Sequence, residues 1–175
     1  IGATNGFLVT KVGIPPFVVT LATMSIAEGL TYAVSAGKYI FVRHPFFTAL
    51  GRGMILGIPI NFLILIATYC LGYVILNKTK LGVYTYSIGG NEEGARLAGI
   101  NIEKWKMVIY IMSGVCMTLA AIITMARISL VTPNIGGPSL LLDSIAAVII
   151  GGTSISGGKG TVHGTFIGVV LMGAI

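Results

Sequence analysis

The sequence predicts an all-α fold: a polytopic bundle of transmembrane helices, with one short helix held in water between two spans and a Gly-rich candidate re-entrant segment. Three observations predict it. Of 175 residues, 55% are hydrophobic and 9% charged, against about 25% charged in average proteins, and the mean hydropathy is +0.96. The apolar residues fall in runs close to the roughly 20 residues that a helix needs to cross a bilayer. Between two of these runs lies a polar island, Asn77 to Lys106, which holds three of the five acids and five of the eleven bases.

Taken in order, Ile1 to Val12 is expected to be the tail of an earlier span. Ile14 to Val34 is long enough to cross, although Glu28 stands near its middle. Met54 to Leu76, interrupted only by Pro59 and Asn61, is the clearest span, and the uncharged run Met107 to Ala126 is nearly as clear. Leu140 to Ile155 is short, contains Asp143 and ends in glycines, so a half-span or re-entrant element is expected there. Val162 to Ile175 opens a further span. The chain starts without Met and carries no signal-peptide pattern, and both ends fall in apolar sequence; it reads as an interior piece of a longer protein.

Positive residues favour the cytoplasmic side of a membrane. If the first three spans each cross once, Lys11, Lys78, Lys80, Arg96, Lys104 and Lys106 share one side, and Lys38, Arg43, Arg52 and Arg127 the other. The bias places the island in the cytoplasm. The net charge of +6 is thereby explained by topology. It forms no basic stripe with interleaved aromatics, so nucleic acid is not expected as a partner.

Within the island, Asn91 can cap a helix, Glu92 and Glu93 suit the positive end of its dipole, and Gly99 can end it in a left-handed conformation. About two turns are left, too few to be stable alone in water, so the helix must pack on its own protein or on a partner. A solvated connecting loop is the other reading of the same residues.

Gly160, Gly164 and Gly168 lie four apart, as on one helical ridge suited to close packing, and Gly53 and Gly57 make a second such pair. Glu28 and Asp143 are acids in apolar sequence, costly in lipid. They and Asn61 are candidates for a polar translocation path, and pairing with bases such as Arg127 is the structural alternative. Cys70 and Cys116 are expected to be inert buried thiols. His44 and His163 lack ligands at metal spacing, so neither metal nor cofactor is expected. The Gly151–Lys159 block invites a phosphate-loop reading, but Thr153 stands where that pattern needs Gly, and Gly160 where it needs Ser or Thr. The chain is not expected to be an enzyme.

The run Gly89–Ile100, the block Asp143–Thr161 (DSIAAVIIGGTSISGGKGT) and Pro15–Leu21 (PPFVVTL) together resemble the permease subunit of bacterial ribose-type sugar ABC importers, in the expected order and over essentially the whole chain. The resemblance implies a single transmembrane permease domain over 1–175 in the bacterial plasma (inner) membrane, in contact with lipid. It implies that Asn91, Glu92, Glu93, Arg96, Leu97 and Gly99 belong to a coupling helix that docks on an ATP-binding cassette ATPase subunit. It further implies a second permease copy and a periplasmic or lipid-anchored sugar-binding protein. Glu28 departs from the family pattern, which carries Arg before the glycine matching Gly29. An ion-coupled carrier or channel for a small polar solute, with Glu28 and Asp143 handling the ion, is the alternative from another class.

Overall fold

The computed structural model describes residues 1–42, 44–55, 57–131 and 135–174. Arg43 and Ile175, used above for sidedness and for the end of the last span, lie outside the described residues. Helices dominate: α1 (Gly2–Phe7), continued by a π-helical turn over Leu8–Val12, α2 (Pro16–Ser35), α3 (Pro45–Arg52), α4 (Ile60–Lys78), α5 (Lys80–Gly90), α6 (Glu92–Leu97), α7 (Ile102–Ile128), α8 (Pro138–Ile150) and α9 (Val162–Ala174). Three of them, α2, α4 and α7, are long and apolar enough to cross a membrane. Among the described residues, four two-residue strands join them: β1 (Ile40–Phe41), β2 (Met54–Ile55), β3 (Ile58–Pro59) and β4 (Leu130–Val131). The chain divides into two compact units, Ile1–Leu65 with Lys106–Ile135, and Ile66–Trp105 with Gly136–Ile175.

In the first unit, glycines let α1 lie backbone-close on α7. A Cβ at Gly6 would fall 2.8 Å from the Met107 sulfur, and one at Gly2 would fall 3.2 Å from the Gly114 Cα. As α1 advances from Gly2 to Gly6, its contact on α7 retreats from Gly114 to Met107, so the two helices are antiparallel. The chain at Lys11 therefore heads towards the N-terminal end of α7. Pro16 starts α2 at a position where no N–H is needed, and α2 ends in left-handed Ala36 and Gly37 (φ 49 and 70).

β1 then pairs antiparallel with β4, Ile40 opposite Val131 and Phe41 opposite Leu130. The segments that leave α2 and α7 are thus held together. Three successive crossings demand that these two ends emerge on one side, and the pairing meets that demand without reference to charge.

The span expected from Met54 starts later, at Ile60. Residues 54–55 and 58–59 pair as a hairpin instead, with Met54 opposite Pro59 and Ile55 opposite Ile58. Pro59 has no N–H for a helix interior and drives Ile58 towards extended backbone, while Gly57 takes the left-handed turn at φ 80. Gly53 and Gly57 are consequently not a helical ridge: Gly53 ends α3, and Gly57 turns the hairpin. Cys70 and Cys116 are exposed on α4 and α7, which corrects their expected burial. The outward face of a membrane span is apolar, so a thiol needs no protein core to lie there.

In the second unit α4 gives way to α5 at Thr79, whose backbone is extended (φ −119, ψ 160). The junction is tight, because a Cβ on Gly82 would collide with the Leu76 carbonyl. α8 and α9 have 13 residues each, about 20 Å at the helical rise, against a hydrocarbon core of about 30 Å. They form an antiparallel pair in which Gly164 meets Gly151, and Gly168 meets the Ala147 carbonyl. Gly160 precedes α9 and faces the Thr153 side chain, so only Gly164 and Gly168 of the expected trio lie on the helix.

Candidate functional site

α6 is built from its ends inward. The Asn91 side chain accepts a hydrogen bond from the Gly94 N–H at 2.9 Å, which satisfies one of the free donors of the first turn. Glu92 and Glu93 occupy that turn and Arg96 the last, each with the sign that the helix dipole favours. At the other end Gly99 stands at φ 81. Its N–H donates to Arg96 O at 3.0 Å, and the Ile100 N–H donates to Ala95 O at 3.1 Å. This pair of bonds is the Schellman closure that a left-handed glycine permits.

Six capped residues remain too few to hold a helix in water, and packing supplies the rest. Ala95 is 5% exposed and sits in a small core with Ile88 of α5 and Ile102 of α7, flanked by Tyr84, Ile100 and Trp105. The Tyr84 and Trp105 rings lie 4.6 Å apart, centroid to centroid. Asn101 repeats the capping device for α7, accepting from the Lys104 N–H at 3.0 Å. The island is therefore a miniature folded unit and not a solvated loop, and it contains α5, a helix that the sequence expectations do not include. Tyr84 and Ile88, four apart, are the signal that marks its buried face.

With Ala95 turned inward, Glu92, Glu93, Arg96 and Leu97 face outward. Leu97 is 85% exposed. A large apolar side chain so displayed, one turn beyond Glu93 on a helix packed on its own core, is a peg suited to a complementary groove.

Directly behind the peg, the end of α5 rests on the Gly-rich segment after α8. α8 closes with its own Schellman motif, Gly152 N–H to Ile149 O at 2.8 Å and Thr153 N–H to Val148 O at 3.2 Å. The segment then turns through Gly157 and Gly158, both left-handed (φ 89 and 73). A Cβ on Gly89 would lie 2.6 Å from the Gly158 nitrogen, and one on Gly157 would lie 2.8 Å from the Gly89 oxygen. The Tyr86 hydroxyl donates to Gly160 O at 2.9 Å. Thr161 closes the segment by accepting from the Gly164 N–H at 3.0 Å. Because this segment touches α5, Lys159 joins the bases on the island's side.

A cavity of ≈ 460 Å³ opens beside the segment, lined by Gly72, Leu76, Tyr86, Val148, Thr161 and Thr165 among others. Beyond it, Tyr69 on α4 hydrogen-bonds His163 on α9 through its hydroxyl and the ring Nδ1, and the Tyr73 ring lies tilted against the same imidazole, centroids 5.1 Å apart. His163 thus ties two helices together. His44 caps α3, its Nδ1 accepting from the Phe46 N–H at 3.3 Å.

The acids are dispersed. Glu28 is half-buried on α2, Asn61 lies in the first turn of α4, and Asp143 is exposed on α8. Asn61 donates to Gly51 O at 3.1 Å, while its Oδ1 is buried without a partner among the described residues. Glu28 and Arg127 share the first unit but form no ion pair among the described residues.

These features define the class: a multi-pass helical membrane protein with a short capped helix, α6, between the spans α4 and α7 in sequence. The chain belongs to the family described as branched-chain amino acid transport system / permease component, whose model matches residues 1–175. It is 41% identical to the ribose import permease protein RbsC of Bacillus subtilis over 98% of this chain and 53% of that protein. The protein of the same name from Escherichia coli K12 is 38% identical over 99% of this chain and 55% of its own length. The L-arabinose transport system permease protein AraH of the same strain is 36% identical over 98% and 52%. The chain thus spans about half the length of the curated relatives it matches. No solved structure matches it. A transport-system permease component with bacterial relatives of this similarity resides in the bacterial plasma membrane.

Proposed function

We propose that this chain is part of the permease subunit of an ATP-driven importer that carries a monosaccharide of the ribose or arabinose kind into the cytoplasm. The observation that carries the reading is the peg: Leu97, displayed beside Glu93 on a helix fixed by two caps and its own core, in a chain similar to sugar-import permeases. Although the family description names branched-chain amino acids, the relatives at 36–41% identity bear sugar names, and this favours a sugar as cargo. The peg, Asn91 to Gly99, docks in a groove of an ATPase subunit and passes the movement of nucleotide-driven closure to the spans. Residues 1–175 act as one transmembrane permease domain. A second permease copy completes the pathway, and a sugar-binding protein delivers cargo on the face opposite the peg. Glu28, Asn61 and Asp143 are the candidates for polar contacts along the path.

Reconstitution of the full-length permease with its ATPase and binding protein in liposomes tests this reading. Uptake of radiolabelled ribose or arabinose should require ATP on the peg side and survive collapse of all ion gradients. Uptake that persists without ATP and vanishes with an ion gradient would refute it.

A further inference from the structure

We propose that Tyr86 and Gly89, seated on Gly157 to Gly160, form a rigid joint that carries movement of the peg into the α8–α9 pair. The inference rests on the coupling role proposed for α6 and assigns a transmission contact to residues outside the peg. Gly90 is bonded directly to Asn91, the cap of α6, so any displacement of the peg moves the end of α5. That end meets the Gly-rich segment backbone to backbone. The approaches of 2.6 Å and 2.8 Å found for a Cβ at Gly89 and at Gly157 mean that neither position has room for a side chain.

A contact of this kind contains no rotamers that could absorb a displacement, and close-packed interiors transmit strain with little compression. The 2.9 Å bond from the Tyr86 hydroxyl to Gly160 O adds a directional tie on the far side of the turn. From Gly160 the path continues through the Thr161 cap into α9. From Gly152 it runs back into α8, and Gly164 and Gly168 hold the two helices as one body. Movement can also reach α4 and α7 along the chain itself. The joint supplies a separate route to α8 and α9, which are joined to the peg in sequence only through the whole length of α7.

Tyr86 and Gly89 are accordingly positioning residues, and the readout that isolates them is the number of sugars moved per ATP hydrolysed. In liposomes holding the full-length permease with its ATPase and binding protein, radiolabelled ribose is the probe. Tyr86→Phe removes only the bond to Gly160 and should lower ribose transported per ATP by about fivefold. Gly89→Ala forces the joint apart and should lower it by more than about tenfold. Both variants should retain the ATPase subunit on co-purification and hydrolyse ATP at near wild-type rates.

An unchanged ratio in Tyr86→Phe and Gly89→Ala overturns the joint while leaving the import reading intact. Loss of the ATPase subunit from both variants also overturns it, because the contact would then merely hold the peg in shape. A wild-type permease that fails to retain the ATPase subunit overturns the import reading and the joint with it.

Discussion

Leu97 offers the sharpest test of the peg, because its two conceivable contributions separate cleanly. At 85% exposure it lends almost nothing to the fold of its own chain, so its truncation should leave stability unchanged. If α6 docks in a groove, the same side chain is buried there. Leu97→Ala removes three carbons at about 0.8 kcal/mol per buried CH₂. With most of the exposed surface covered on docking, the loss is about 2 kcal/mol, or about 30-fold in the dissociation constant for the ATPase subunit. Equilibrium binding of the ATPase to permease held in nanodiscs measures it, with thermal unfolding of the permease alone as the control. A change below about threefold, or a loss of permease stability that accounts for the weaker binding, would refute the assignment of α6 as the docking element.

Asn91→Ala should cost about 1 kcal/mol of helix stability, visible as faster hydrogen exchange at the Gly94 amide, whereas Asn91→Asp keeps the acceptor and should keep the protection. Gly168→Ala places a methyl against the Ala147 carbonyl and should destabilise the α8–α9 pair by about 2 kcal/mol, read as a lowered unfolding temperature in detergent. Gly173→Ala, with no atom near its added carbon, serves as the silent control. For sidedness, in a background lacking Cys70 and Cys116, Lys38→Cys should react with an impermeant maleimide applied to intact cells, and Lys159→Cys only after permeabilisation. The reverse pattern would invert the topology.

What could be read from the sequence was local. Asn91 and Gly99 act within a few residues of themselves, so cap and stop were legible in their chemistry, and the long uncharged runs at α4 and α7 declared themselves by length. The pairing of Met54 and Ile55 with Ile58 and Pro59 was not legible, because an apolar run looks alike in a strand and in a span; Pro59 and Gly57 were the signal, although in sequence Pro59 reads as an interruption of a span and Gly57 as the helical partner of Gly53. α5 was hidden by the polarity around it. The pairings Ile40 with Val131, Gly89 with Gly158 and Gly151 with Gly164 join residues far apart in sequence. No periodicity states which glycine meets which backbone.

The glycines therefore divide by task in a way that spacing alone does not convey. Gly164 and Gly168 let two helices touch, Gly152 and Gly99 close helix ends, and Gly89, Gly157 and Gly158 let the end of α5 bear directly on the segment that joins α8 to α9. A peg that only recognised its partner would need the cap, the core and Leu97. One that also transmits force needs a stiff support behind it. Tyr84, Ile88, Ile102 and Trp105 hold α6 in place from within the island, and the backbone contact at Gly89 and Gly158 ties that island to α8 and α9. On these two proposals, recognition and transmission fall on different residues. Substitutions at Leu97 should change how tightly the ATPase binds, and those at Gly89 how much sugar each ATP moves.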